Sequence, residues 1–196
     1  MRVFPLRQSG NQYTSNVYLV LGTWNKLTDT NALVDVGRDP WVIQAILDAP
    51  TGVGKRKVDR VVLTHGHYDH VEMLLAVRKR FEPEVLAYSP TTDGVDRNLR
   101  NGEMVVMGDE EFEVILIHAH TDDSICLYNR KNGVLFSGDA PVLVNSPGGT
   151  WEPEFVSVLE DLCAKGVREI YPGHGSPLRE SCNARLRTSI EMIRNS

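Results

Sequence analysis

Apolar residues recur along this chain at two spacings. Short runs of alternating or continuous apolar residues, bounded by polar turn residues, predict strands over 2–7, 16–21, 32–36, 58–63 and 85–88. A second group of strands is predicted over 103–107, 112–117, 124–128, 134–137 and 169–171, with Asn132-Gly133 marking a tight hairpin turn. Between them the spacing becomes helical. Asp39-Pro40 supplies an N-cap and a proline at the first helical position for a helix filled by residues 41–47. Residues 71–81 read as a helix with Leu74, Leu75 and Val77 inward. Arg78-Lys79-Arg80 lie at its end, where positive charge suits the helix dipole. Pro153 opens a helix whose Phe155, Val158, Leu159, Leu162 and Cys163 follow the 3.6-residue period, and Gly166 stops it. Leu186, Ile190 and Ile193 mark a last amphipathic helix. The order is strands, helix, strand, helix, many strands, helix, strand, helix. That layout fits an α/β protein with two mixed sheets and helices outside. No repeat, low-complexity tract or Pro/Gly/Ser-rich linker interrupts it, so a single domain spanning 1–196 is expected.

Composition narrows the function classes. A chain of 196 residues can bury a sizeable core, and 41% hydrophobic with 24% charged residues is ordinary for a globular protein. The net charge of −5 argues mildly against a nucleic-acid partner, which usually demands a basic face. No apolar run is long enough to span a bilayer, and the start, Met1 to Arg7, lacks a signal-peptide apolar region, so a cytoplasmic location without membrane association is expected. Cys126, Cys163 and Cys182 are odd in number and widely spaced, as in a protein with reduced thiols. Lys55-Arg56-Lys57 precedes the strand at 58–63 and is expected at the end away from the chemistry, in a solvated loop.

The chemistry begins at Thr64-His65-Gly66-His67-Tyr68-Asp69-His70, which holds three of the chain's six histidines and a carboxylate. Imidazole nitrogen and carboxylate oxygen are ligands for zinc and similar borderline metals. One turn this dense cannot aim every ligand at one ion. His65 and His67 alternate and can point to the same side, whereas Asp69 and His70 follow after the chain has turned and suit a second ion. A hydrophobic strand runs into the motif and an apolar helix follows it. Four other segments put a polar residue at or near the end of a strand: Asp35 near the end of 32–36, His118 and His120 after 112–117, Asp139 after 134–137 and His174 after 169–171. Strand-end loops on a rigid scaffold are where functional groups gather.

The series Asp35, His65-x-His67-x-Asp69-His70, His120, Asp139 and His174 resembles the metallo-β-lactamase-fold hydrolases, and in particular their glyoxalase II-like branch. The resemblance implies an αββα sandwich with a dinuclear metal site at one edge. It implies that His65, His67 and His120 hold the first ion, that Asp69, His70 and His174 hold the second, and that Asp139 bridges them. Asp35 would orient the His-rich turn by hydrogen bonds. The two ions would be zinc first, with iron or manganese as alternatives. Asp69 and Asp139 are the expected catalytic carboxylates. A hydroxide shared by the ions would attack the carbonyl of a small thioester, lactone or related ester, with Asp139 holding it. Residual positive charge would favour the anionic tetrahedral intermediate.

The chain departs from the family pattern around His120, where His118-Ala119-His120-Thr121-Asp122-Asp123-Ser124 replaces a stretch usually of the form Pro-Gly-His-Thr-Pro-Gly-Ser. His118 is therefore an extra imidazole that could orient a ligand or face substrate, or be a satisfied strand-end residue. Asp122 and Asp123 could be a solvated turn, or put acids where a polyanion would approach. Tyr68, and Trp151 with Phe155, are candidates for pocket walls. Glyoxalase II proper carries a helical C-terminal extension that helps bind glutathione, and here the chain runs on from Gly175-Ser176-Pro177 only to Ser196. A small-molecule substrate is expected and its acyl and leaving groups stay open. Three rivals remain: a persulfide dioxygenase with one iron on the same fold, a phosphodiesterase or ribonuclease, and a non-enzymatic metal-binding module. The sequence shows no basic stripe for a polymer, and a structural ion needs only four ligands. Oligomeric state is not readable.

Overall fold

Successive residues of the inner strands point to opposite faces, and in this chain both faces are apolar and buried. A computed structural model describes residues 1–89 and 92–196. Its six-stranded sheet runs in chain order through β1 (Arg2–Pro5), β2 (Tyr18–Leu21), β3 (Ala32–Val34), β4 (Arg60–Val62), β5 (Glu84–Ala87) and β6 (Arg97–Asn98). The first pairings are antiparallel, and β3 to β6 are parallel. The second sheet runs β11 (Glu169–Pro172), β10 (Val134–Gly138), β9 (Ile125–Asn129), β8 (Glu110–Leu116), β7 (Met104–Met107). It is antiparallel except for β10 with β11.

Tyr18, Val20, Ala32, Val34, Val62 and Leu86 of the first sheet meet Phe112, Val114, Ile125, Leu127, Phe136 and Tyr171 of the second. Their neighbours Leu19, Leu33, Val61 and Val85 turn outward against α1 (Trp41–Asp48) and α3 (Leu74–Phe81). Ile115, Tyr128, Leu135 and Ile170 likewise pack on α4 (Pro153–Lys165) and α5 (Cys182–Arg194). The result is the four-layer αββα sandwich with mixed sheets. No helix of the described chain is long and apolar enough to cross a membrane.

Three local features differ from the sequence reading. The helix expected over 71–81 is two pieces, α2 (Tyr68–Val71) and α3, broken at Glu72 and Met73. Tertiary bonds cause the break: His70 O accepts from Val36 N and Gly37 N, both at 3.0 Å, and Met73 N donates to Gly37 O at 3.1 Å. The helical frame restarts at Leu74, so Leu74, Val77 and Phe81 form the buried stripe and Leu75 is 68% exposed. The turn between β9 and β10 is longer than a two-residue hairpin. Gly133, at φ 68°, closes it with N–H to Asn129 O at 2.9 Å. β6 is a two-residue strand of Arg97 and Asn98, which carry no apolar alternation to announce it.

The Lys55-Arg56-Lys57 cluster lies at the entry end of β4, away from the His-rich turn at its exit. It is more than a solvated loop. Lys57 Nζ donates to Leu47 O (2.7 Å) and Ala49 O (2.9 Å), and Arg56 donates to Glu82 O (2.7 Å). These bonds add partners to carbonyls at the C-terminal ends of α1 and α3, where the helices leave carbonyls without helical donors.

Phe136 is fully buried between Tyr18, Phe112 and Tyr171. Phe136→Ala is expected to cost about 3–5 kcal/mol in urea unfolding of the metal-free protein. Leu75→Ala, on the exposed side of α3, is expected to stay within about 0.5 kcal/mol of the parent.

Candidate metal centre

Polar residues follow the ends of β3, β4, β8, β10 and β11, and the fold gathers most of them at one edge. Asp35 comes directly after β3 with φ 58°, a left-handed conformation that Asp tolerates better than most residues. This turn drives its carboxylate inward, where it is buried. Asp35 Oδ1 accepts from Thr64 N at 2.8 Å. Oδ2 accepts from Thr64 Oγ1 at 2.9 Å and faces His70 Nδ1 at 2.8 Å. Thr64 Oγ1 also lies 3.2 Å from His65 Nδ1. Since the Thr64 hydroxyl proton goes to Asp35, the hydroxyl accepts from His65 Nδ1–H. Asp35 therefore sets the Nδ1–H tautomer of His70 directly and that of His65 through Thr64, assigned from the bonding pattern. In both rings it is Nε2 that points at the centre.

Seven side chains converge there: His65, His67 and His120 in one group, Asp69, His70 and His174 in another, with Asp139 between them beside His65 and His70. His120 Nε2 is 2.9 Å from His67 Nδ1, and His174 Nε2 is 3.0 Å from Asp69 Oδ2. Asp139 Oδ2 lies 3.6 Å from His120 Nε2 and 3.4 Å from His174 Nε2, so one oxygen faces both groups. Three buried atoms, His65 Nε2, His70 Nε2 and Asp139 Oδ1, make no hydrogen bond, although the last two are 3.3 Å apart. Buried polar atoms are ordinarily satisfied. Unsatisfied nitrogen and oxygen atoms gathered this closely fit the binding of divalent metal once His70 gives up its proton. The close quarters also explain Gly173, where a Cβ would stand 2.1 Å from Asp139 Oδ1 and 2.8 Å from His70 Cε1.

The electrostatics point the same way. Burial pushes the His70 imidazole down, but the carboxylates of Asp35 and Asp139 overrule it and lift it to about 10. Burial raises Asp139, yet contact with His70 and the nearby imidazoles hold it at about 2. Burial, aided by the charge on His70, lowers His65 to about 4, leaving its Nε2 lone pair free at neutral pH. The cluster of carboxylates thus demands positive charge, met by a proton on His70 until a cation replaces it.

His118 does not join this cluster. Ile117 turns into the core, so the next side chain turns out, and His118 is exposed without a hydrogen bond to any candidate ligand. Trp151 stacks on Phe155 at 5.2 Å in the helix-covered core rather than walling the centre. Tyr68 lies at the surface under the Arg38 guanidinium, 5.2 Å away. Asp122 and Asp123 line a cavity of about 720 Å³ that opens beside His67. Sequence reasoning missed Thr64, which links Asp35 to two histidines, and Tyr13, whose hydroxyl is 3.2 Å from His174 Nε2. Position 64, between an apolar strand and the first histidine, carried a signal for the former. Nothing in the polar stretch around Tyr13 did so for the latter.

The model of the metallo-beta-lactamase superfamily matches residues 10–93 and 72–174. The chain belongs to that superfamily. The hydroxyacylglutathione hydrolase of Chelativorans sp. (strain BNC1) is 34% identical over 115 residues, 57% of this chain and 43% of that protein. The one from Mesorhizobium japonicum is 29% identical over 138 residues, 67% of this chain and 52% of that one. The chain spans about half the length of these curated relatives. Among solved structures, ETHE1 from Myxococcus xanthus superposes with a TM-score of 0.67 at 23% identity, covering 98% of this chain and 88% of that one. Identity at that level shows the superfamily fold alone. The fold implies divalent metal binding, and the histidine and carboxylate groups above are the candidate sites.

Asp35→Asn would turn an amide N–H toward His70 Nδ1–H or the Thr64 hydroxyl. Metal affinity is expected to fall about 10–100-fold, read by chelator competition. The His70 pKa in the fold lies above its ordinary value, so its contribution to metal-free stability is complete below about 6.5 and lost as pH rises through about 10. The metal-free parent is therefore expected to lose melting temperature between those limits, and Asp35→Asn to flatten that dependence.

Proposed function

We propose that this protein is a metal-dependent hydrolase that cleaves a small uncharged thioester or lactone. The observation that carries the reading is Asp139, a half-buried carboxylate with one oxygen facing both groups of candidate ligands. His65, His67 and His120 would hold one ion, and Asp69, His70 and His174 the other; zinc is the first expectation. Two divalent ions bound there would supply Lewis acidity and bring the pKa of water towards neutrality. Asp139, ionised throughout the physiological range, would accept a hydrogen bond from the attacking water and hold it against the acyl carbon. Water adds to the carbonyl, the C–S or C–O bond breaks, and a carboxylate leaves with a thiol or alcohol. Asp35 and Thr64 keep the imidazoles aimed during this cycle. Three carboxylates, Asp69, Asp139 and Asp35, offset most of the charge of two divalent ions, which leaves room for an anionic intermediate.

The cavity beside His67 supports an uncharged substrate. Its described lining includes Val71, Tyr88 and the carboxylates of Asp93, Asp122 and Asp123, with no lysine or arginine. Each acid near such a surface disfavours an approaching polyanion by about 1 kcal/mol after screening. Nucleic acid is a poor fit to this rim.

Metal analysis is expected to find two ions per chain, and a panel of thioesters, lactones and phosphodiesters to favour the first two in kcat/KM. Glutathione thioesters belong in that panel. A preference for phosphodiesters, or oxygen uptake with glutathione persulfide in the iron-loaded protein, would replace this reading with one of its rivals. Asp139→Ala is expected to abolish turnover and, because Asp139 and the protonated His70 stabilise each other in the metal-free fold, to lower the melting temperature of the metal-free protein at neutral pH. Asp122→Asn with Asp123→Asn is expected to raise phosphodiester cleavage several-fold with thioester cleavage nearly flat.

A further inference from the structure

The segment joining β1 to β2 passes over the half of the centre formed by Asp69, His70 and His174, and it is fastened there. Ser15 N donates to Asp69 O (3.1 Å) and Asn16 N to Gly173 O (2.6 Å), the backbone of one candidate ligand and of the residue before another. Asn16 Nδ2 adds bonds to Pro172 O (3.0 Å) and Gly175 O (2.7 Å). On the other side Gln12 Nε2 donates to Arg38 O (3.2 Å) and Arg38 N to Thr14 Oγ1 (2.7 Å). The backbone on both sides of Tyr13 is therefore held, while its ring is 63% exposed. That ring stacks on His174 at 4.8 Å with the planes 17° apart, and its hydroxyl lies 3.2 Å from His174 Nε2. The same nitrogen faces Asp69 and Asp139.

A large aromatic ring held open to solvent gains little from burial. Its hydroxyl instead sits at the one nitrogen of His174 that can hold an ion. Once that lone pair is committed, the phenol O–H is free to serve whatever reacts beside it.

We propose that Tyr13 is a catalytic residue that donates its proton to the leaving atom; this rests on the hydrolase reading above. As water adds and the C–O bond of a lactone or oxyester breaks, the leaving oxygen takes the phenol proton and departs as an alcohol. The phenolate regains a proton from water, and the acid product ionises to a carboxylate. An alkoxide needs this proton, whereas a thiolate is stable without it. Tyr13 thereby sets how well the enzyme cleaves oxygen esters relative to thioesters.

The test is Tyr13→Phe in the zinc-loaded protein, with an oxyester and a thioester of the same acyl group. Oxyester kcat is expected to fall about 100-fold, as for loss of a general acid, with thioester kcat within about threefold. Zinc content should be unchanged. Methylphosphonate, standing in for the tetrahedral intermediate, should bind the zinc-loaded variant about 10-fold more weakly, as for one lost hydrogen bond. Equal losses on both esters, an unchanged oxyester rate, or loss of one zinc would each overturn the assignment. If the parent cleaves neither ester, the hydrolase reading fails by itself. The phosphonate titration and zinc content then still decide whether Tyr13 meets an oxyanion at this centre, and unaltered phosphonate binding would overturn that contact.

Discussion

The buried carboxylate of Asp35 is the constraint on which the centre rests. A lone ionised carboxylate in a protein interior is costly, and this one is also in a left-handed backbone conformation. It is retained because Thr64 N, Thr64 Oγ1 and His70 Nδ1 all bond to it. Those bonds fix which nitrogen of each imidazole is bare. Without them His65 and His70 could turn either nitrogen inward, and convergence of side chains would not guarantee convergence of lone pairs. Asp35 also joins two parallel strands at their ends, since it follows β3 and holds the residue that ends the β4 segment.

The sheets supply the rest of the positioning. β3 and β4 deliver Asp35 and the His-rich turn, whereas β8, β10 and β11 deliver His120, Asp139 and His174 from the opposite sheet. Ile125 N donates to Thr64 O at 2.9 Å, a backbone bond directly between the two sheets at this edge. Gly138 and Gly173 permit the approach, for a side chain at either would collide with Thr64 or Asp139.

Much of this was legible in the amino-acid order, and the reasons differ from residue to residue. The sandwich could be read because period-two apolar strands and period-3.6 helices bury different stripes, and the order of elements left few arrangements. The His-rich turn, Asp139 and His174 could be read because each ends a strand in residues that have no business in a core. The exposure of Leu75 is not legible because the break before α3 is made by Val36 N and Gly37 N donating to His70 O and by Met73 N donating to Gly37 O, which no local pattern encodes. His118 drew attention as an imidazole close to His120, yet the alternation that buries Ile117 turns it outward. Tyr13 lies 161 positions from His174 in a stretch without periodicity, so only the folded chain brings them together.

The division of the candidate ligands between two sheets has a mechanical consequence. An ion shared by His67 and His120, or by His70 and His174, would act as a rivet through both halves of the sandwich. Binding to the folded state alone adds about 2.7 kcal/mol at a hundredfold excess over Kd, and that gain would be concentrated at one edge. At the opposite edge the sheets are tied by hydrogen bonds instead, the paired backbone bonds of Thr30 with Gly108 (2.8 and 2.7 Å) and Arg60 Nη1 to Val106 O (2.9 Å). The loaded protein would then behave like a book bound along its spine, its far edge closed by hydrogen bonds that open more readily than metal–ligand bonds.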